Sequence, residues 1–596
     1  METGRYGPMT DVFGLTKEGR NYKPDPRHRT VRFALLADCS TQHLATLVKA
    51  IGKRAELNIE IYEAPFAGIA LEIADSRSGL YDFDPDFVAI LNHTEPLKSA
   101  LLSQGAIAAE DLVAATAGHW DILADRLRAR VIQSTFVVPS ERSFGNYERM
   151  VPDSLGQRVV DINDGLIKAA RTRHNVLVND VDYIAAEVGR SRWRDEKLWL
   201  IAKAPCALEF LPLLARNIVD IAAAAIGKVV KCVVLDLDNT LWGGVIGDDG
   251  LDGIRLGDLA DGEAFVKFQR YLLSLKARGI VLAVCSKNDH HNAILPFERH
   301  PDMVLKPSDI SVFVANWDDK AKNLRFIQET LNVGFDSMVF VDDNPFERSL
   351  VRGLIPDIIV PELPDDPAHY VRCLAELNLF ETTTFSGTDR ERAELYRVEA
   401  ERTQAKTRFD NVDDYLRSLD MTVTVERFSP FNLPRIVQLM QRSNQFNLTT
   451  RRYSETECVR FLEDQDGYYP FTLSLSDRFG SYGLISIIIL GLGADEIFID
   501  EYLMSCRVLQ RGVENFAMNH IFGVAREAGA RRVLGRYIPT KKNGMVRQFY
   551  EQFGFVCIEA KEDGETVWAL DVTDYSERAA LMTPVFPTET GEMATA

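Results

Sequence analysis

Short apolar runs alternate with amphipathic stretches from Val31 to about Phe380. The first are Val31–Ala37, Ile59–Tyr62, Phe87–Leu91, Val131–Val138, Val176–Val178 and Leu198–Ile201. Continuous apolar runs suit strands covered on both faces, and the intervening helical periodicity supplies the covers. The rhythm therefore predicts a parallel sheet wrapped by helices over residues 30–228, after a polar segment at 1–29. A second α/β unit is predicted over 229–380, with strands at Cys232–Leu235, Ile280–Cys285 and Met338–Val341. Residues 381–416 are charged, and Glu391, Glu394, Glu399 and Arg402 carry helical spacing, which predicts a connecting helix with a solvated face. From Met421 the pattern becomes mixed. A strand, a helix at Pro434–Asn444, a hairpin through Phe471–Ile489, a strand at Ile497–Met504 and a helix at Val513–Ala528 predict an α+β unit over 417–575. A polar tail at 576–596 is expected to be disordered.

Composition narrows the possibilities. The chain has 596 residues, 46% of them hydrophobic and 26% charged, which is an ordinary globular balance with room for several cores. Lys and Arg number 68 against 87 Asp and Glu, a formal charge of -19, so nothing favours approach to a nucleic-acid backbone. The most apolar stretch, Ala204–Val230, is interrupted by Glu209, Arg216 and Asp220, and no membrane span is expected. The N-terminal sequence lacks the apolar core of a secretory signal. The 8 cysteines are scattered singly, as reduced thiols in a cytoplasmic protein would be.

The sharpest chemical signal is Asp236-Leu237-Asp238-Asn239-Thr240, directly after the predicted strand Cys232–Leu235. Two carboxylates at one strand end favour a bound divalent cation, with Mg²⁺ expected, because both cannot stay ionised without one. A capped turn built from the same turn-forming residues is the alternative. Three further segments place phosphate-handling groups at strand ends or helix starts: Ser286, Lys320 and the pair Asp342-Asp343. Together these residues resemble the haloacid dehalogenase (HAD) superfamily of phosphotransferases. That resemblance implies Asp236 as nucleophile and Asp238 as general acid and base, with Ser286 and Lys320 holding phosphate oxygens. It also implies Mg²⁺ held by Asp236, the Asp238 carbonyl and Asp343, with Asp342 behind them. The glycine-rich segment Leu241–Gly250 reads either as a short flap over the site or as a plain hairpin, the two differing in whether Trp242 touches substrate.

The string Leu235–Gly250, with Ser286-Lys287-Asn288-Asp289 and Asp342–Arg348, is similar to the FkbH-like branch, subfamily IIIC. Asn444–Arg452 and Tyr502–Val508 resemble that family's C-terminal half, which is similar to N-acetyltransferases (GNAT). The resemblance implies a HAD-type Rossmannoid α/β centre flanked by an SGNH-like (flavodoxin-like) α/β domain and a GNAT-like α+β domain. In the GNAT fold the end of the central strand lies beside an acyl thioester, and the following loop cradles a pantetheine phosphate. Cys506 occupies that strand end. Arg507 and Gly512 belong to the loop, and Gln510 stands where the GNAT pattern has its first glycine. A buried structural thiol is the other reading of Cys506. Cys285 reads as core. Ala37-Asp38-Cys39-Ser40-Thr41 sits as an SGNH nucleophile block does, making Cys39 a rival acceptor, yet no Asp-x-x-His pair follows: Asp195 is three residues before Leu198. The N-terminal unit is therefore expected to be a degenerate scaffold. Basic clusters at Arg451-Arg452, Arg531-Arg532-Arg536 and Lys541-Lys542 are either docking points for an acidic partner or solvated charge.

The family resemblance implies dephosphorylation of 1,3-bisphosphoglycerate and loading of the glyceryl unit, as a thioester, on an acyl carrier protein for polyketide-type biosynthesis. A plain Mg²⁺-dependent phosphatase, an acyl-CoA-dependent acyltransferase and a non-catalytic carrier-docking scaffold are the alternatives.

Overall fold

The computed structural model describes residues 11–103, 108–385, 396–398, 402, 411–440, 446–451, 453, 455–464, 466–505, 508–509, 511–540, 543–561 and 564–587. The chain divides into two compact units, Met1–Ala393 and Glu394–Ala596. Most of the predicted connecting helix, at 381–416, lies outside the described residues.

The first unit carries two parallel sheets. β1 (Arg29–Ala37), β2 (Leu57–Glu63), β3 (Phe87–Leu91), β4 (Arg130–Ser134) and β5 (Val176–Asn179) lie in the order β2-β1-β3-β4-β5. Every neighbouring pair is parallel. Five of the six apolar runs became these strands. The sixth, Leu198–Ile201, is instead part of the helix Glu196–Ala202, whose start is fixed by Asp195 accepting from the backbone N–H of Leu198. A short apolar run has no periodicity of its own, and a local N-cap decided this one.

The second sheet has the order β8-β7-β6-β9, from β6 (Cys232–Leu235), β7 (Val281–Lys287), β8 (Val312–Asn316) and β9 (Met338–Val341). All of its pairs are parallel. β8 went unread in the sequence, although Val312-Phe313-Val314-Ala315 is an apolar run of the same kind as the others. Each residue of β6 and β9 is buried, as a parallel sheet covered on both faces requires. The two layers of this unit are fastened by buried Arg216 on the helix Leu211–Ala225. It donates to Asp220 at 3.2 Å and to the carbonyls of Glu376 (3.1 Å) and Leu377, past the end of the helix Tyr370–Glu376.

The second unit is built on a mixed sheet of β10 (Met421–Arg427), β11 (Phe446–Asn447), β12 (Tyr468–Asp477), β13 (Gly480–Leu492), β14 (Glu496–Met504), β15 (Arg532–Tyr537), β16 (Val556–Ala560), β17 (Thr566–Asp571) and β18 (Met582–Val585). Its spine runs β16-β17-β15-β14-β13-β12-β10-β18. The predicted hairpin is β12–β13, and the helix Val513–Glu527 follows β14 as expected. The stretch expected to be a disordered tail contributes β18, which pairs with the edge of β10 and so shields an otherwise open strand.

β14 and β15 are parallel only from Glu496 to Ile499 and then part. Into this fork the chain inserts its own β11, which pairs with Leu503 and Met504, while the Leu448 carbonyl accepts from the N–H of Ile538 just past β15. Fully buried Glu501 sits at the fork. One carboxyl oxygen is bonded to the Thr449 hydroxyl at 2.6 Å, the other has no partner, and burial pushes the group up to about 8. Its neutral form is therefore the native one. The stability that this contributes is complete below the ordinary value of 4.5 and is lost as the pH rises through about 8. Denaturant titrations between those limits should show stability falling by up to ~1.4 kcal/mol per pH unit, and Glu501→Gln should flatten that slope.

Candidate active site

β6 and β9 are neighbours in register, with Leu235 opposite Val341, so the residues that follow them emerge side by side. The N–H of Asp236 still donates to the Val341 carbonyl at 2.9 Å. The order of this sheet reverses here: the chain runs outward from β6 through β7 to β8, then returns to place β9 on the other flank of β6. The crevice beyond the carboxyl ends at such a point is where open α/β sheets take ligands.

Asp236, Asp342 and Asp343 converge in that crevice, each offering a carboxylate oxygen within 4.8 Å of the others. Lys320 is brought to them by its helix, Lys320–Leu331, which starts there because the Asp319 side chain accepts from the N–H groups of Ala321 and Lys322. Its ammonium lies 2.9 Å from Asp236 Oδ2 and 2.5 Å from Asp342 Oδ2. Burial opposes charge on Lys320, but the two carboxylates outweigh it and its pKa is raised. At an effective dielectric near 20, each contact contributes roughly 6 kcal/mol of gross attraction, enough to offset a desolvation cost of several kcal/mol. Asp343 is pushed up to about 6, by burial first and then by the charge of Asp236, and Asp342 is raised for the same two reasons.

Three carboxylates face one ammonium, and Asp236 Oδ1 is buried without a partner. A hard divalent cation with oxygen ligands fits that donor set. Asp342 has both oxygens engaged, Oδ2 by Lys320 and Oδ1 by the N–H of Asn344, which leaves Asp236 and Asp343 as the carboxylates best placed to hold an ion. Arg348 fixes the turn beneath them by donating to the carbonyls of Asp342 (2.8 Å) and Asp343 (2.6 Å).

The Asp238 side chain is turned to other partners. Its Oδ1 accepts from Trp242 Nε1 at 2.9 Å and from the N–H of Ile246 at 3.0 Å, and its Oδ2 accepts from Asn288 Nδ2 at 2.9 Å. Of Asp238, only the backbone carbonyl is then open to a metal. Burial raises its pKa, the charge of Asp236 adds to this, and the donated hydrogen bonds act against it. Directly after Asp238 the chain turns through Asn239 in the left-handed region (φ 55), and Asn239 Oδ1 accepts from the N–H of Gly244. Asn tolerates that conformation better than most residues. The segment beyond is closed by an antiparallel bridge between Gly243 and Arg255, with a helical stretch, Ile246–Gly253, kinked at Gly250, in between, and Trp242 is fully buried against Phe297. Trp242 thus positions Asp238 from behind.

Ser286 is buried within β7 rather than after it, beside Asn288. The roles of Asn288 and Arg348 were missed in the sequence reading. Both sit inside quoted motifs, but nothing in their spacing shows which carboxylate or carbonyl they reach. Cys285 is buried, its thiol pushed up by burial and directed at the Lys320 carbonyl at 3.8 Å, which matches a core role. In the C-terminal unit Cys506, Arg507 and Gln510 lie outside the described residues. Gly512 is described, in the left-handed region (φ 80), as the residue that opens the helix Val513–Glu527. Of the basic clusters, Arg451 is paired with Asp500 and Arg532 with Glu496, while Arg452, Lys541 and Lys542 lie outside the described residues. Among the described residues no helix is long and apolar enough to cross a membrane.

The family model described as FkbH, N-terminal domain, matches residues 32–223. The N-terminal part of a Bacteroides fragilis protein, containing a phosphatase domain and complexed with Mg, is 39% identical with a TM-score of 0.60, covering 63% of this chain and 99% of that one. The GNAT domain of a Streptomyces lividans protein (S. lividans PAT) is 22% identical, with a TM-score of 0.21, over 25% of this chain and 89% of that one. The ribosomal-protein-S18-alanine N-acetyltransferase of Escherichia coli is 17% identical, with a TM-score of 0.20, over 26% and 99%. No curated protein matches the chain.

The acidic cluster makes a measurable demand. With Mg²⁺ at about 100 times its Kd the protein should gain about 2.7 kcal/mol against unfolding. Asp343→Asn should remove most of that gain in a thermal-shift titration without lowering the metal-free midpoint.

Proposed function

The chain belongs to the FkbH-like family, and on that premise we propose that it is a divalent-cation-dependent phosphotransferase that dephosphorylates 1,3-bisphosphoglycerate and loads the glyceryl unit on an acyl carrier protein. The observation that carries the phosphoryl-transfer part is Asp236 itself. Its Oδ1 is unpartnered at the mouth of β6, while Oδ2 is held 2.9 Å from the Lys320 ammonium. One oxygen is free to attack, and the other is anchored.

In this reading Asp236 Oδ1 attacks the phosphorus of the phosphate ester in line. The bond to the ester oxygen breaks, and Asp238 gives that oxygen a proton. Asp238 then takes a proton from water, which attacks the aspartyl-phosphate and releases inorganic phosphate. Trp242, Ile246 and Asn288 hold the Asp238 carboxyl in place for both transfers. Lys320 and Ser286 line the path of the transferred oxygens, with Lys320 also reducing repulsion between carboxylate and phosphate. Mg²⁺, held by Asp236, Asp343 and the Asp238 carbonyl, would supply further neutralisation of the phosphate charge.

The acyl half of the proposal assigns Cys506 as the thiol that takes the glyceryl group from the mixed anhydride, with release of phosphate, and passes it to the pantetheine thiol of the carrier. Acyl phosphates are strong acyl donors, so the displacement needs no activated cofactor. The self-filled fork between β14 and β15 bears on the acyl-CoA alternative: a ligand seeking the edge of β14 at Leu503 and Met504 must first displace β11.

Labelled 1,3-bisphosphoglycerate and a carrier protein should give a labelled carrier together with phosphate, whereas a plain phosphatase leaves the carrier unlabelled. Asp236→Asn should lower phosphate release from the ester by at least about 10³-fold, and Cys506→Ser should abolish carrier labelling with phosphate release from the ester retained.

A further inference from the structure

The first sheet ends in a cavity that the reaction above does not use. It opens beyond the carboxyl ends of β1, β3, β4 and β5. Cys39 reaches it from the loop after β1, Asn92 and His93 from the loop after β3, and Ser134 from the end of β4. In the order β2-β1-β3-β4-β5 the winding reverses between β1 and β3, so this is the ligand crevice of that sheet.

The lining has two properties. It is mainly apolar, with Trp193, Trp199 and Leu214 in its walls, and its two arginines are ion-paired within the protein. Arg190 is held by both oxygens of Asp182, at 2.8 and 2.7 Å, and Arg194 is paired with Glu95 and Glu141. Asp195 is engaged as the cap of a helix. His93 is the polar centre of the wall. Its ring stacks flat on Trp199, with centroids 3.9 Å apart, and its Nδ1 accepts from the N–H of Glu95. Burial, Arg194 and Lys203 push its pKa down to about 4, so the ring is neutral and Nε2–H is its remaining donor. The loop is braced by Asp38, which accepts from the His93 N–H at 2.7 Å.

Turnover is not provided for here. Ser40 donates to Gln42 at 2.9 Å rather than to an imidazole, and the thiol of buried Cys39 is pushed far up by burial. A mainly apolar wall whose arginines are already ion-paired disfavours small ions, which would lose their hydration without replacement. A neutral chain with an apolar body and a carbonyl to accept from His93 meets no such penalty.

We propose that this cavity is a non-hydrolytic binding site for a neutral acyl thioester or acyl amide, the chemistry of an acylated pantetheine arm. The assignment stands on the cavity alone and does not need phosphoryl transfer at Asp236. The test is calorimetric titration of the full-length protein with butyryl-N-acetylcysteamine, with butyrate and coenzyme A as charged controls. The expected result is saturable binding of the thioester, about ten-fold or more tighter than butyrate, with no thioester cleavage over hours. Trp199→Ala and His93→Phe should each weaken it by about ten-fold, while phosphate release in the same preparations stays at the parental rate. Unchanged affinity in both variants, equal binding of butyrate, or thioester hydrolysis would each overturn the proposal.

Discussion

The Lys320 ammonium, held between Asp236 and Asp342, is the contact on which the central sheet's chemistry depends. Without it three carboxylates would share one buried crevice, and proton uptake would neutralise part of them. The fold supplies the contact through three separate constraints. Parallel pairing of β6 with β9 sets the aspartates side by side, an Asp cap starts the lysine's helix at the right residue, and Arg348 ties down the turn after β9. Lys320 cancels one charge of three, and that remainder is what calls for a divalent cation.

Separation of the two central aspartates is the second consequence of this arrangement. They are two residues apart, yet Asp236 faces the cation cluster while Asp238 is claimed by Trp242, Ile246 and Asn288. Different surroundings suit chemically identical groups to different work, which in the proposed reaction is that of nucleophile and proton carrier. The flanking regions show a related economy. The sheet of β1–β5 keeps the ligand crevice of its architecture but ion-pairs the arginines around it, and the C-terminal sheet fills its own fork with β11.

Much of this was legible in the sequence because buried parallel strands announce themselves as apolar runs and their ends as punctuating polar residues. Cys232–Leu235 followed by Asp236 is such a case, as is Met338–Val341 followed by Asp342. Leu198–Ile201 misled because its helix is set by the cap at Asp195, a local hydrogen bond that outweighs a four-residue pattern. The behaviour of Trp242 was not readable either. A glycine-rich string says that the chain turns, but whether an aromatic in it faces solvent or core depends on Phe297, distant in sequence. The self-filled fork and the neutralised cavity are likewise products of long-range pairing, which no local pattern encodes.

The account turns on whether Asp236 carries the phosphoryl group. Rapid acid quench during turnover, followed by borohydride reduction and peptide mass spectrometry, reads this directly, because reduction of an aspartyl-phosphate converts that residue to homoserine. The proposed reaction predicts homoserine at position 236. An unmodified Asp236 under conditions of steady phosphate release would contradict it.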